Sequence, residues 1–155
     1  MILEKIISGG QTGADRAALD FALEHKIPHG GWCPLGRLAE DGPIPDEYRL
    51  KETQSGNYSL RTEWNVRDSD GTVIFSRAAV LTGGSGLTAK FCKQWKRPFI
   101  HVSEAKTKNP ARALVEFIDD NRIQNLNVAG PRDSTEFGIG EFVRTVLEEA
   151  LEQIR

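Results

Sequence analysis

The sequence predicts an α/β fold of three layers, with a mostly parallel sheet of about five strands flanked by helices. Three observations predict it. Short β-branched runs alternate with helical periodicity along the whole chain. Two glycine loops each stand between a strand and a helix. The 155 residues, 39% hydrophobic and 27% charged, suit one domain with a sizeable core, spanning residues 1–155.

Taken in order, the first strand runs from about Glu4 to Ser8, where Ile6 and Ile7 favour a buried strand. Ser8-Gly9-Gly10-Gln11-Thr12-Gly13 follows as a turn. Ala14, Ala17, Ala18, Phe21 and Ala22 then recur at helical spacing, so a helix is expected to about Lys26. A second strand is expected from Gly30 to Cys33. Pro34 to Gly56 is broken by Pro34, Gly36, Gly42, Pro43 and Pro45 and reads as a long ordered loop lying over a site. Ser59 to Asn65 reads as a short helical turn with Arg61, Thr62 and Asn65 on one polar face, best taken alone as a solvated face. Asp68-Ser69-Asp70-Gly71 is a tight turn before a strand at Thr72 to Phe75.

Leu81 to Thr88 is the second glycine loop, and a helix from about Leu87 to Lys96 is expected after it. A strand follows at Pro98 to Val102. Asn109 and Pro110 make a helix start, and Asn125 to Ala129 is the last strand. From Ile139 the helical period holds to the end. In such sheets ligands bind beyond the carboxyl ends of the strands. Both glycine loops lie there, and both open helices whose free amides and positive dipole ends suit an anion.

Composition excludes several classes. A net charge of −2 and a pI near 5.9 argue against a nucleic-acid surface. No apolar run is long enough to span a bilayer, and no signal peptide is read. Two cysteines, Cys33 and Cys92, make neither a disulfide framework nor a zinc spacing, and point to a reducing cytoplasm. Cys33 follows a strand and can face the crevice, but a buried small hydrophobe is the better reading of it and of Cys92. His25, near the end of the first helix, reads as a surface cap, and neither His29 nor His101 has a carboxylate partner readable from sequence. No catalytic residue and no metal ligand is assigned.

The expected anion site therefore comprises Gly9, Gly10, Gln11, Thr12, Gly13 and Asp15 at the first loop and Gly83, Gly84, Ser85 and Thr88 at the second. Arg37 joins it from the long loop, Asp68, Asp70 and Thr72 from the aspartate turn, and Arg132 from the loop after the last strand. The aspartates read first as turn formers; the functional alternative, open only if the chain before them passes over the site, is that they read ring amino groups or hold a cation beside phosphate. Arg132 offers a guanidinium fork to phosphate, with a structural ion pair as the alternative.

Ile7 to Arg16, Trp32-Cys33-Pro34, Gly36-Arg37, Ala39 to Gly42, Arg61-Thr62, Asn65-Val66, Asp68 to Thr72 and Asn127 to Arg132 together resemble the molybdenum carrier family over nearly the whole chain. That family is similar in fold to the Rossmann-like group of lysine-decarboxylase-like, cytokinin-activating and DNA-processing proteins. The resemblance implies a homo-oligomer that binds and protects molybdenum cofactor, a pterin bearing a phosphate and a dithiolene-held molybdenum. The cytokinin-activating branch carries P-G-G-x-G-T-x-x-E. Here the glycines match, but Thr82, Leu87 and Lys90 replace its proline, threonine and glutamate. A lysine cannot serve as that carboxylate.

The leading expectation is a carrier or sensor for a phosphorylated small molecule, either molybdenum cofactor or a nucleotide-like anion. The alternatives are an enzyme on a nucleotide, using Asp15, Glu40, Asp41 or Asp68 as acid or base, and an oligomeric interaction module with a vestigial site. On the carrier reading, Gly10→Val is expected to block binding without unfolding the protein.

Overall fold

Apolar runs form a five-stranded, wholly parallel sheet in the computed structural model, which describes residues 3–154. Its strands are β1 (Lys5–Ile7), β2 (His29–Gly30), β7 (Gly71–Ser76), β8 (Phe99–Ser103) and β9 (Asn125–Ala129). Their spatial order is β2-β1-β9-β7-β8. Five helices flank them: α1 (Ala14–Glu24), α2 (Tyr58–Arg67), α3 (Gly83–Gln94), α4 (Pro110–Asp120) and α5 (Ile139–Ile154). α5 packs against both α1 and α4, while α2 packs against α3, giving two helical layers around the sheet. The α/β class read from the sequence is the observed one.

Numbered along the chain, the sheet reads 2-1-5-3-4. Numbered from β9 as the first strand, it reads 3-2-1-4-5, the doubly wound order with its first strand moved to the end of the chain. The switch point therefore lies between β9 and β7. A crevice is expected there, beyond their carboxyl ends.

The main core joins Ile6, Phe21, Phe75, Leu114, Ile118, Leu126, Val128 and Val143. Burying each of these large side chains stabilises the fold by about 1.5–3 kcal/mol. A second, smaller cluster holds Leu19, Cys33, Ala39, Ile44 and Tyr48 under the long loop.

That loop differs from its expected role. It contains two short ladders, β3 (Trp32–Cys33) with β6 (Lys51–Glu52) and β4 (Leu38–Ala39) with β5 (Gly42–Pro43). It packs on α1 through the second cluster and does not cover the crevice. The expected second strand is split at Gly31, whose φ of +131° turns Trp32 out of the main sheet. α3 begins at Gly83, earlier than expected, so the second glycine loop is itself the first turn of the helix.

Candidate functional site

A cleft of about 390 Å³ opens at the switch point. Its floor is the end of β9, Asn127 to Ala129, with Ser76 at the end of β7. One wall is the turn after β1, another the face of α2, a third the first turn of α3, and the fourth the loop Gly130 to Glu136. Eight of the fifteen residues expected at the site line it: Gly9, Gln11, Asp15, Gly83, Gly84, Ser85, Thr88 and Arg132.

The other seven lie elsewhere, each for a visible reason. Gly10 backs onto Leu50 and Ile44 of the long loop, and Gly13 lies against the backbone of Pro131 to Asp133. Thr12 turns away from the cleft and gives its hydroxyl proton to Glu40. Arg37 is consumed in building the loop: its guanidinium donates to the carbonyls of Leu50, Ile44, Pro45 and Tyr48. Asp68 and Asp70 precede β7 and so sit at the amino ends of the strands, opposite the cleft. Asp68 accepts from the Trp32 indole at 2.7 Å and pairs with Arg67. Asp70 accepts from the amides of Gln124 and Asn125, pinning the start of β9. Thr72 is buried within β7 and accepts from Asn127 Nδ2 at 3.1 Å.

Arg61, Thr62 and Asn65 line the cleft, although their spacing alone reads as a solvated face. The signal was the poverty of α2 in apolar residues: it buries only Asn65 and Val66. A helix that buries so little apolar surface has another use for its inward side. Arg61 lies directly over Gly9, where a Cβ would stand 1.8 Å from Nη1. The guanidinium occupies the space that the missing side chain leaves.

Arg61 Nη1 donates to Asp15 Oδ2 at 2.8 Å, and both side chains are largely buried. Burial pushes the Asp15 carboxyl above its ordinary range, while Arg61 pulls it back. Two donors on the lining residues have no partner: Gln11 Nε2 and Arg61 Nε are buried without a hydrogen bond. The oxygen of that Gln11 amide is fully used, accepting from Thr12 N and Glu40 N. An unmade hydrogen bond at a buried donor costs about 1–3 kcal/mol, so each calls for an acceptor that the described residues do not supply.

The first turn of α3 adds to this. Its N-cap, Thr82, makes no side-chain cap bond, and Gly83 and Gly84 stand in open space. Arg132 makes no ion pair among the described residues, so its structural alternative does not apply. Arg61 and Arg132 face a helix N-terminus across the cleft, an arrangement whose chemistry suits an anion.

Other candidates fall outside the cleft. Cys33 is buried in the second cluster, and burial raises its thiol. Cys92 is core. His25 pairs with Glu148 at 2.7 Å, His29 accepts from Arg49 N, and His101 bonds Ser76 Oγ at 2.6 Å. Glu40 ties the turn after β1 to the loop after β9, accepting from the hydroxyls of Thr12 and Ser134 and from Ser134 N.

Residues 6–151 match the model of the circularly permutated YpsA SLOG family. The chain belongs to that family. Its permutation is the strand order described above, with the first strand of the doubly wound sheet placed last in the chain. A 1.45 Å crystal structure of a protein from Syntrophus aciditrophicus SB, named "Putative molybdenum carrier protein", superposes with a TM-score of 0.94. The two are 48% identical over 96% of this chain and 95% of that one. The motifs quoted from the sequence thus led to the same group that the permuted YpsA family model and the fold identify. No curated protein matches the chain.

Proposed function

We propose that this protein is a carrier or sensor that binds a phosphorylated small molecule in the cleft between β9, β7 and α2. The observation that carries the reading is the pair of buried, unpartnered donors, Gln11 Nε2 and Arg61 Nε, on residues that line the cleft with the open N-terminus of α3. A phosphate would take the amides of Gly83 and Gly84 together with Arg132. Asn127, whose Nδ2 is spent on Thr72, offers its side-chain oxygen to a ring.

Molybdenum cofactor is one candidate ligand, and the name of the Syntrophus protein supports a carrier role. The donor set fits the phosphate of such a pterin. No cysteine or histidine lines the cleft, so the metal of such a cargo would be held by its own sulfur atoms. A nucleotide-like anion fits the same donors. The two buried thiols suit a reducing cytoplasm, and no helix among the described residues is long and apolar enough to cross a membrane. A homo-oligomer is part of this proposal.

The test is native mass spectrometry with elemental analysis on protein purified without chelators, which also reads the oligomeric state. A retained phosphorylated mass is expected, with molybdenum if the cargo is the cofactor. Gly84→Asp is expected to abolish retention at unchanged melting temperature, because the position is open and the new charge faces the anion site. Full retention by that variant would remove the α3 terminus from the site.

A second reading is favoured by Asp15, a buried carboxyl in the cleft with its affinity for protons raised. It would act as an acid on a bound nucleotide. Glu40, Asp41 and Asp68 do not line the cleft and are no part of that reading. Product release from a nucleotide panel, lost in Asp15→Asn, would favour it.

A further inference from the structure

Two guanidinium groups rest on the ring of Tyr58. Arg61 Cζ lies 5.5 Å from its centroid and Arg132 Cζ lies 5.4 Å. Arg61 comes from the next turn of α2, and Arg132 comes from the loop after β9. One half-buried aromatic side chain thus joins two elements far apart in sequence, and both arginines line the cleft. Like charges gathered around one ring repel. The ring face offsets part of that repulsion by attracting each of them.

The protein pairs one of the two charges and leaves the other without an ion-pair partner among the described residues. Asp15 meets Arg61, while Arg132 has no carboxylate partner among the described residues. Gln11, only 5% exposed, lines the same cleft with an unpartnered Nε2. Arg132 offers its whole fork to the oxygens of one phosphate, and Arg61, with Nη1 on Asp15, has only its remaining N–H groups to offer a second. Two guanidinium groups held on one ring match two linked phosphates better than one.

We propose that Tyr58 is a positioning residue that holds Arg61 and Arg132 as a pair, and that the pair takes a pyrophosphate-type group, as in a nucleoside diphosphate. The proposal rests on the reading of the cleft as an anion site. It assigns a role to a residue that does not itself line the cleft. The phenolic oxygen has no part in it; the ring alone is needed.

The test is calorimetric titration of the purified protein with inorganic pyrophosphate and with inorganic phosphate. Wild type is expected to bind pyrophosphate at least about tenfold more tightly than phosphate. Tyr58→Phe keeps the ring and is expected to bind as wild type does. Tyr58→Gln loses it and is expected to bind pyrophosphate about tenfold more weakly at unchanged melting temperature. Combined with Arg132→Gln, it is expected to add little further loss, a non-additivity that two independent structural defects do not give.

Unchanged pyrophosphate affinity in Tyr58→Gln overturns the positioning role and leaves the anion-site reading intact. So does full additivity in the double variant; if Tyr58→Gln is poorly folded, Tyr58→Leu, which also lacks the ring, serves in its place. Equal affinity of wild type for the two anions overturns the ligand class alone. A wild type that binds neither anion overturns the proposal, and the co-purification experiment then decides the wider reading separately.

Discussion

Arg61 holds one end of its guanidinium on Asp15, so its removal is felt in stability. The buried Asp15 carboxylate loses its ion-pair partner, which for buried pairs costs about 3–5 kcal/mol. Arg61→Ala is therefore expected to lower the unfolding free energy by that order in urea titration. Asp15→Asn combined with it should recover much of the loss, since no charge is then stranded. Gly10 carries a different lesson. Its φ is +82°, and a Cβ there would stand 2.7 Å from Leu50 Cδ1 and 3.0 Å from Ile44 Cδ1. Gly10→Val is thus expected to destabilise the protein by a few kcal/mol through backbone strain and displacement of the loop. On the proposed site, a loss of binding without loss of stability is expected instead of a substitution at Gly84, which has room for a side chain. A melting curve on each variant separates the two behaviours.

Among the elements, the long loop is held to its neighbours by charge as well as by its small apolar cluster. Glu40 is its latch. The Ser134 hydroxyl, then the Thr12 hydroxyl, hold the Glu40 carboxyl below its ordinary value of 4.5. A carboxyl depressed in the folded state contributes stability that is complete above the unfolded value and is lost as pH falls through the folded one. Asp41, held down by Arg16, and Asp68, held down by Arg67, act in the same direction. Melting temperature is therefore expected to fall as pH drops below 4.5. Glu40→Gln should be less stable than wild type at pH 7 and converge on it in acid. A gap that stays constant with pH would mean that ionisation of the latch is irrelevant. The latch also shows where sequence reading stops. Strands and helices are local patterns, so β1, β7, β9 and α5 were legible from branched runs and period. The two-residue ladders β3–β6 and β4–β5 carry no pattern, and the side of the turn that Asp70 serves is fixed by Asn125, a contact 55 residues away. The face of α2 was visible as spacing, but only its position over Gly9 gives Arg61 a task.

At the scale of the whole molecule, the sheet order makes a direct prediction. Joining residue 154 to residue 3 with a short flexible linker, and opening the chain in the exposed turn between Asn121 and Arg122, makes the sheet read 3-2-1-4-5 from its new start. Leu3 and Ile154 already pack against the same core. The permuted chain is expected to fold and to keep the cleft, since every sheet neighbour is unchanged; loss of cooperative unfolding would show that chain order matters to more than connectivity. The natural order has a consequence of its own for synthesis. β9 is the middle of the sheet, bonded to β1 on one side and β7 on the other, and it leaves the ribosome after both. Until it emerges, β1 and β7 each keep an open edge, and two half-sheets wait unjoined with their apolar faces and unpaired amides exposed. A nascent chain stalled before residue 125 should therefore be protease-sensitive and bound by chaperones. The strand that closes the sheet is also the one that floors the cleft, so a chain unable to finish folding cannot offer a ligand site.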